Sequence, residues 1–262
     1  MITENENSPL ELAVLAGRIL LSNGAEIFRV QETMERIAAS YHMDSFHVYA
    51  ISNGIFACGT ENGIPHTAEI RHVPLAPVHL GRVAAVNQIS REIAEGKHTI
   101  PEAFALLKEI EKLPFTSGRI QILATGMGSA CFCYLFGGSP VDCVVSFFSG
   151  LLVCIFLLLA GKKKLSKIMT TILASALAAF CGLVLYHAGI GHNMDRIIIG
   201  SIIPLVPGVP LTNSIRDFFN GDYISGTIRL IDTLLIATCI ALGVGFILKA
   251  ASMMGIAVGV PL

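Results

Sequence analysis

Apolar positions along the chain change period twice. Over residues 10–41 they recur at helical spacing, with Ile27, Val30, Met34, Ile37 and Tyr41 forming one stripe. Ser8-Pro9-Leu10-Glu11 reads as a capping box with proline at the first helical position and predicts a helix to about Leu21. Asn23, with Glu26 three residues on, predicts the cap of a second helix. The period then shortens to that of strands over Ser45–Ile51, Ile55–Thr60 and His66–Val73. The Asn53-Gly54 and Asn62-Gly63 pairs between them are hairpin signals, so a three-stranded meander is expected. Helices over Pro77–Glu95 and Pro101–Leu113, ended by Gly96 and Pro114, complete an αα-βββ-αα domain.

From Ile120 the apolar runs lengthen. Ile120–Phe136, Val141–Gly161, Ile168–Tyr186, Ile197–Ile215 and Leu230–Leu248 are 17 to 21 residues each, enough to cross a hydrocarbon core of about 30 Å. The expected fold is a polytopic α-helical membrane protein, with about five transmembrane helices, the fourth broken by proline, preceded by a small α+β cytosolic domain. The boundary falls between residues 1–118 and 119–262. Composition supports that division: residues 1–118 carry nine basic and 14 acidic side chains, a formal charge of −5, against nine basic and five acidic in the rest.

Basic residues set the expected orientation. Arg119, Lys162-Lys163-Lys164 with Lys167, and Arg216 share one side under alternating threading. That places the N-terminal domain in the cytosol of a multi-pass membrane protein. MITENENSP is acidic and polar, unlike a secretory signal. Six of the seven cysteines lie in apolar runs, and Cys131-x-Cys133 lacks zinc spacing, so buried thiols are expected.

The stretch Gly200–Leu234 is where polar groups reach membrane depth. Pro204, Pro207 and Pro210 cannot share one unbroken helix, and a helix restarting near Thr212 as N-cap would aim its free amides at the break. Asn213, Arg216, Asp217, Asn220, Asp222, Arg229 and Asp232 follow. Either this is a functional break, or the span ends at Pro210 and an amphipathic loop follows. Arg229 and Asp232, at i and i+3, suit an ion pair on one helix face as well as a transport role. Asp142, beside Pro140, is either an intramembrane acid or an interfacial N-cap.

Enzyme chemistry finds little purchase. His66-x-x-Glu69-x-x-His72 is the nearest approach to a metal cluster, but on a strand Glu69 faces away from the two histidines. There is no HExxH, GxSxG, P-loop or dinucleotide fingerprint. A membrane-tethered hydrolase would have to use Glu26, Glu32 or a histidine as general base, with no nucleophile or metal to serve. No cofactor is expected, and no basic, aromatic-interleaved face argues for nucleic acid.

Pro207-Gly208-Val209-Pro210-Leu211-Thr212-Asn213-Ser214-Ile215-Arg216-Asp217, then Gly221-Asp222, Ser225-Gly226 and Arg229, resembles the signature of the threonine/serine exporter family. Asn23-Gly24-Ala25-Glu26 with Arg29-Val30 resembles the same family's N-terminal region, and the resemblance runs from about residue 10 to 250. It implies a cytosolic N-terminal domain, membrane spans, and efflux of amino acids such as threonine and serine or C4-dicarboxylates such as succinate. It also implies that this chain is the larger subunit of a split system, working with a smaller membrane partner.

The expected function is export of a small carboxylate-bearing metabolite across the lipid bilayer, driven by the proton-motive force, with that partner or as a homo-oligomer. Arg216 or Arg229, with the amides freed at the proline break around Pro207 and Gly208, would neutralise the carboxylate. Asp217 or Asp232 would carry the proton, with Asn213, Asn220, Gly221, Asp222 and Asp142 as further polar and turn positions of the path. The alternative is a regulatory or assembly subunit whose partner contains the pathway.

Overall fold

The computed structural model describes residues 8–61, 63–70, 73, 78–163 and 165–256. Asn62, His72, Pro77, Lys164 and the tail 257–262 lie outside the described residues, as do the side chains of His66 and Glu69 that were weighed as metal ligands. The chain packs as two compact units, Met1–Phe115 with Val209–Ile231, and Thr116–Gly208 with Asp232–Leu262. The division after Phe115 lies close to the boundary read from composition. Val209–Ile231, which composition grouped with the membrane spans, packs with the N-terminal residues.

The first unit has the expected element order: α1 Pro9–Ser22, α2 Ile27–Ser40, β1 Ser45–Ile51, β2 Gly54–Glu61, β3 Ile64–Ile70, α3 Leu80–Ala94 and α4 Ile100–Glu111. Its sheet is antiparallel in the order β1-β2-β3, with Ala50 opposite Ile55 and Phe56 opposite Glu69. Ile55 and Ala57 of β2 are buried while Phe56 and Cys58 between them are exposed, the alternation of a half-covered sheet. Helix α1, apolar on nearly every side, is the central element, as such a composition requires. It packs on α2, α3, α4 and the sheet. Each fully buried Leu or Ile there, such as Leu12, Leu20, Ile27 and Ile37, contributes about 2 kcal/mol.

Asn23 closes α1 instead of opening α2. Its Nδ2 donates to the Ile19 carbonyl at 2.7 Å, and its backbone amide reaches the Ile19 and Leu20 carbonyls. Gly24 follows at φ +85°, where its amide and that of Ala25 satisfy the carbonyls of Leu21 and Leu20. Only glycine enters that left-handed conformation without strain, so the Asn-Gly pair terminates a helix. Glu26 becomes the N-cap of α2.

The second unit contains α5 Gly118–Leu135, α6 Pro140–Lys162, α7 Lys167–His187 and α8 Met194–Ile202, which tightens into a 3-10 turn over Ile203–Leu205. Two more helices follow the proline break, α9 Gly208–Phe219 and α10 Tyr223–Met253. Helices α6, α7 and α10 are long and apolar enough to cross a membrane. Met194–Leu205 with Gly208–Phe219 would make a fourth span if that bent pair counts as one. Helix α5 coincides with the first expected span but carries Arg119 and Gln121 in its opening turn and is not among the helices apolar enough. Helix α10 starts seven residues before the expected span; its 31 residues extend about 46 Å. A Cβ at Gly126 would stand 2.7 Å from Leu151 Cδ2 on α6, so α5 and α6 approach closely there.

Helix α9 does not restart at Thr212. It begins at Gly208, which puts Pro210 in its first turn, where a missing amide has no intrahelical partner to lose. The Gly208 amide is not left open toward the break; it donates to the Val206 carbonyl at 2.9 Å.

Candidate functional site

A group of charged and polar side chains in the first unit forms where α9 and the start of α10 meet the turn between α1 and α2. Asn213, Arg216, Asp217 and Asn220 recur at i, i+3, i+4 and i+7, so they share one side of α9. Gly221, at φ +84°, reverses the chain after Phe219, and the Asp222 amide donates to the Asp217 carbonyl at 2.9 Å. Ser214 Oγ donates to the Gly226 carbonyl at 2.8 Å and ties α9 to α10. That hairpin brings Arg229 back to the level of Asp217.

The α1–α2 turn supplies the other half. Asn213 Nδ2 donates to the Gly24 carbonyl at 3.0 Å, and Arg229 Nη2 to the Ala25 carbonyl at 2.9 Å. Arg216 Nη1 is paired with Glu26 Oε1. Arg229 Nε stands 3.5 Å from Asp217 Oδ2, and both side chains are buried. The Ile27 backbone amide, the first of α2, also faces the Asp217 carboxylate. The group therefore holds a buried arginine committed to Asp217 and Ala25, and a second arginine at the rim.

The other residues singled out lie elsewhere. Asn220 is exposed at the end of α9, and Pro207 sits in the break. Asp142 is fully buried as the N3 acid of a capping box with Ser139; it also accepts the amides of His192 at 2.7 Å and Asn193 at 3.1 Å, and Asn193 Nδ2 at 2.8 Å. The N-cap of α6 is Ser139 and not Asp142, which serves the cap from the N3 position and ties the start of α6 to the loop before α8. Asp232 pairs with Lys167 Nζ at 2.8 Å in the second unit. An apolar cavity of about 430 Å³ between α7 and the end of α10, lined by Phe180, Leu183, Val184, Ile247 and Met254, touches none of these residues.

Neither acid weighed as a hydrolytic base stands alone: Glu32 bridges Arg29 at 3.0 Å and Arg36 at 2.9 Å, and Glu26 meets Arg216. Among the described residues no group of three or more His, Cys, Asp or Glu could hold a metal ion. Arg82 was not legible as important. Its Nη2 donates to the Leu113 carbonyl at 2.6 Å and its Nη1 to Asn23 Oδ1 at 3.4 Å, joining the segment before α5 to the α1–α2 turn.

The two segments that carry the family resemblance thus meet in one side-chain cluster. A family model described as "Putative threonine/serine exporter" matches residues 11–251. The chain belongs to the threonine/serine exporter family. It is 27% identical over 246 residues to the Escherichia coli strain K12 protein named "Probable succinate transporter subunit YjjP", covering 92% of this chain and 94% of that one. The Klebsiella aerogenes protein of the same name is 26% identical over 87% of this chain and 89% of its own length. The "Threonine/serine exporter" of Corynebacterium glutamicum is 23% identical over 90% of this chain and 50% of its own length. No solved structure matches the chain. Family membership and the apolar helices identify a membrane protein of a transporter family.

Proposed function

We propose that this chain is a subunit of an exporter of small carboxylate-bearing metabolites in the bacterial inner membrane, with its N-terminal domain in the cytosol and α5 serving as a fifth span. Threonine, serine and a C4-dicarboxylate such as succinate are the substrates to test, given the names of the relatives. A smaller membrane subunit is the expected partner, a proposal supported by the near end-to-end match to a protein named as a subunit.

The observation that carries this reading is Arg216. Its side chain is 54% exposed, whereas that of Arg229 is 6% exposed and committed to Asp217 and the Ala25 carbonyl. Of the two arginines in the family's signature, the rim one has donors open to a ligand and the planar fork that fits a carboxylate. Asp217, buried against Arg229 in the same cluster as Arg216, is the acid this reading assigns to proton exchange, whereas Asp232 is held by Lys167 in the second unit.

The test is efflux from metabolite-loaded cells expressing this chain alone and with its partner, with and without a collapsed proton gradient. Arg216→Ala should abolish export at normal membrane abundance. Wild-type export from both Arg216→Ala and Arg229→Ala would overturn the reading. A regulatory or assembly subunit is favoured by one observation, that Val209–Ile231 packs within the N-terminal unit. On that reading substitutions in the stretch act only by lost complex formation, which co-purification with the partner detects.

A further inference from the structure

We propose that Glu26 is a built-in carboxylate that occupies Arg216 at rest and is displaced when an exported carboxylate binds. The inference rests on Arg216 as the substrate-binding cation and adds a competitor to that site.

Glu26 holds the N-cap position of α2, where a side-chain acceptor ordinarily serves the amides of the first turn. Its carboxylate makes no such bond. It turns instead to Arg216, 190 residues along the chain. The arrangement is lopsided: the Arg216 side chain is 54% exposed, that of Glu26 only 17%. An arginine offers five N–H donors and Glu26 engages Nη1, so an incoming carboxylate finds the other donors of a half-exposed side chain.

Displacement does not strand Glu26. The N-terminal amides of α2 lie within its own turn, and an acid at an N-cap is stabilised there by those amides and by the helix dipole. The carboxylate therefore has two satisfied positions, one on Arg216 and one on α2. A partly exposed ion pair is weak, so exchange of one carboxylate for another on Arg216 is cheap. Arg229 is unsuited to the same exchange, because it is buried and its partner Asp217 has no exposed surface. The two arginines divide the work, one anchoring α10 to the α1–α2 turn and one exchanging ligands. Release of Glu26 also loosens the tie between α2 and α9, coupling substrate arrival to the hold of the N-terminal unit on the signature helix.

The experiment is efflux kinetics for succinate and threonine in cells where the wild-type chain supports export, comparing Glu26→Gln, Glu26→Asp, Arg216→Ala and the exchange Glu26→Arg with Arg216→Glu. Removing the competitor should lower the KM in Glu26→Gln by about two- to fivefold, with a smaller shift the same way in Glu26→Asp. The charge exchange should stay inactive. A raised KM or lost efflux in Glu26→Gln and Glu26→Asp at normal membrane abundance, with Arg216→Ala inactive, would overturn the competitor and leave the exporter reading standing. Restored efflux in the charge exchange would show a structural tie and overturn it too. Wild-type export from Arg216→Ala would instead remove Arg216 from substrate binding.

Discussion

Arg229 Nε and Asp217 Oδ2 stand 3.5 Å apart with both side chains buried, at the place where α9, α10 and the α1–α2 turn converge. Removing one member of a buried pair leaves the other charged and unsolvated, a loss of about 3–5 kcal/mol. Arg229→Ala should therefore lower the thermal stability of the purified chain sharply. Asp217→Asn should cost less, since the amide keeps the shape and loses only the charge. Equal melting temperatures for Arg229→Ala and wild type would show that the pair does not hold these helices.

Arg216→Lys should separate charge from shape. Lysine keeps the positive charge but loses the planar fork, so efflux should persist with a KM raised about tenfold, roughly 1.4 kcal/mol of lost recognition. Full activity of the lysine variant would mean that the site senses charge alone.

Gly24→Ala tests the turn that receives α9. A side chain at φ +85° costs about 1–2 kcal/mol, and the added Cβ would stand 2.8 Å from Val78 Cγ2. A destabilised chain with reduced efflux is expected. An unchanged melting temperature would show that the turn relaxes without loss.

Asp142→Ala removes the acceptor for the amides of Ser139, His192 and Asn193. Hydrogen bonds to a charged acceptor are worth about 1.5–3 kcal/mol each, so loss of folded protein from the membrane is expected. Asp142→Asn should be milder. Normal abundance of Asp142→Ala with abolished efflux would instead return this acid to the transport path.

Glu92 is held below the ordinary glutamate range chiefly by its hydrogen bond with His98, at 2.9 Å, and next by that from Gln88. A depressed folded value means that the pair contributes stability above the unfolded glutamate value, and that this is lost as the pH falls through the folded one. Glu92→Gln should flatten the acid limb of melting temperature against pH. Parallel acid limbs for the two proteins would rule the contribution out.

The order of elements was legible because local patterns carry it. The Asn-Gly pair before β2, the proline at the start of α1 and the apolar stripe of α2 each report on a few neighbouring residues, and the structure has them in the expected sequence. Misreadings came where one local signal serves two ends. Asn23 followed by Glu26 looks like a cap for the next helix, yet Gly24 in a left-handed conformation makes the pair the end of the previous one. Thr212 looks like an N-cap, but prolines suit a first turn, and α9 opens at Gly208.

By itself the sequence determined a mostly helical membrane protein with a small sheet near its N-terminus, and the two segments that mark the family, because periodicity, composition and motif are properties of neighbours along the chain. Only the tertiary structure decided that these two segments meet in one side-chain cluster. It gave Glu26 to Arg216 and Asp217 to Arg229, and bound Asp232 to Lys167. No spacing rule relates Glu26 to a residue 190 positions away. Partners at that distance are chosen by which buried charges the packing of α1, α2, α9 and α10 leaves facing one another.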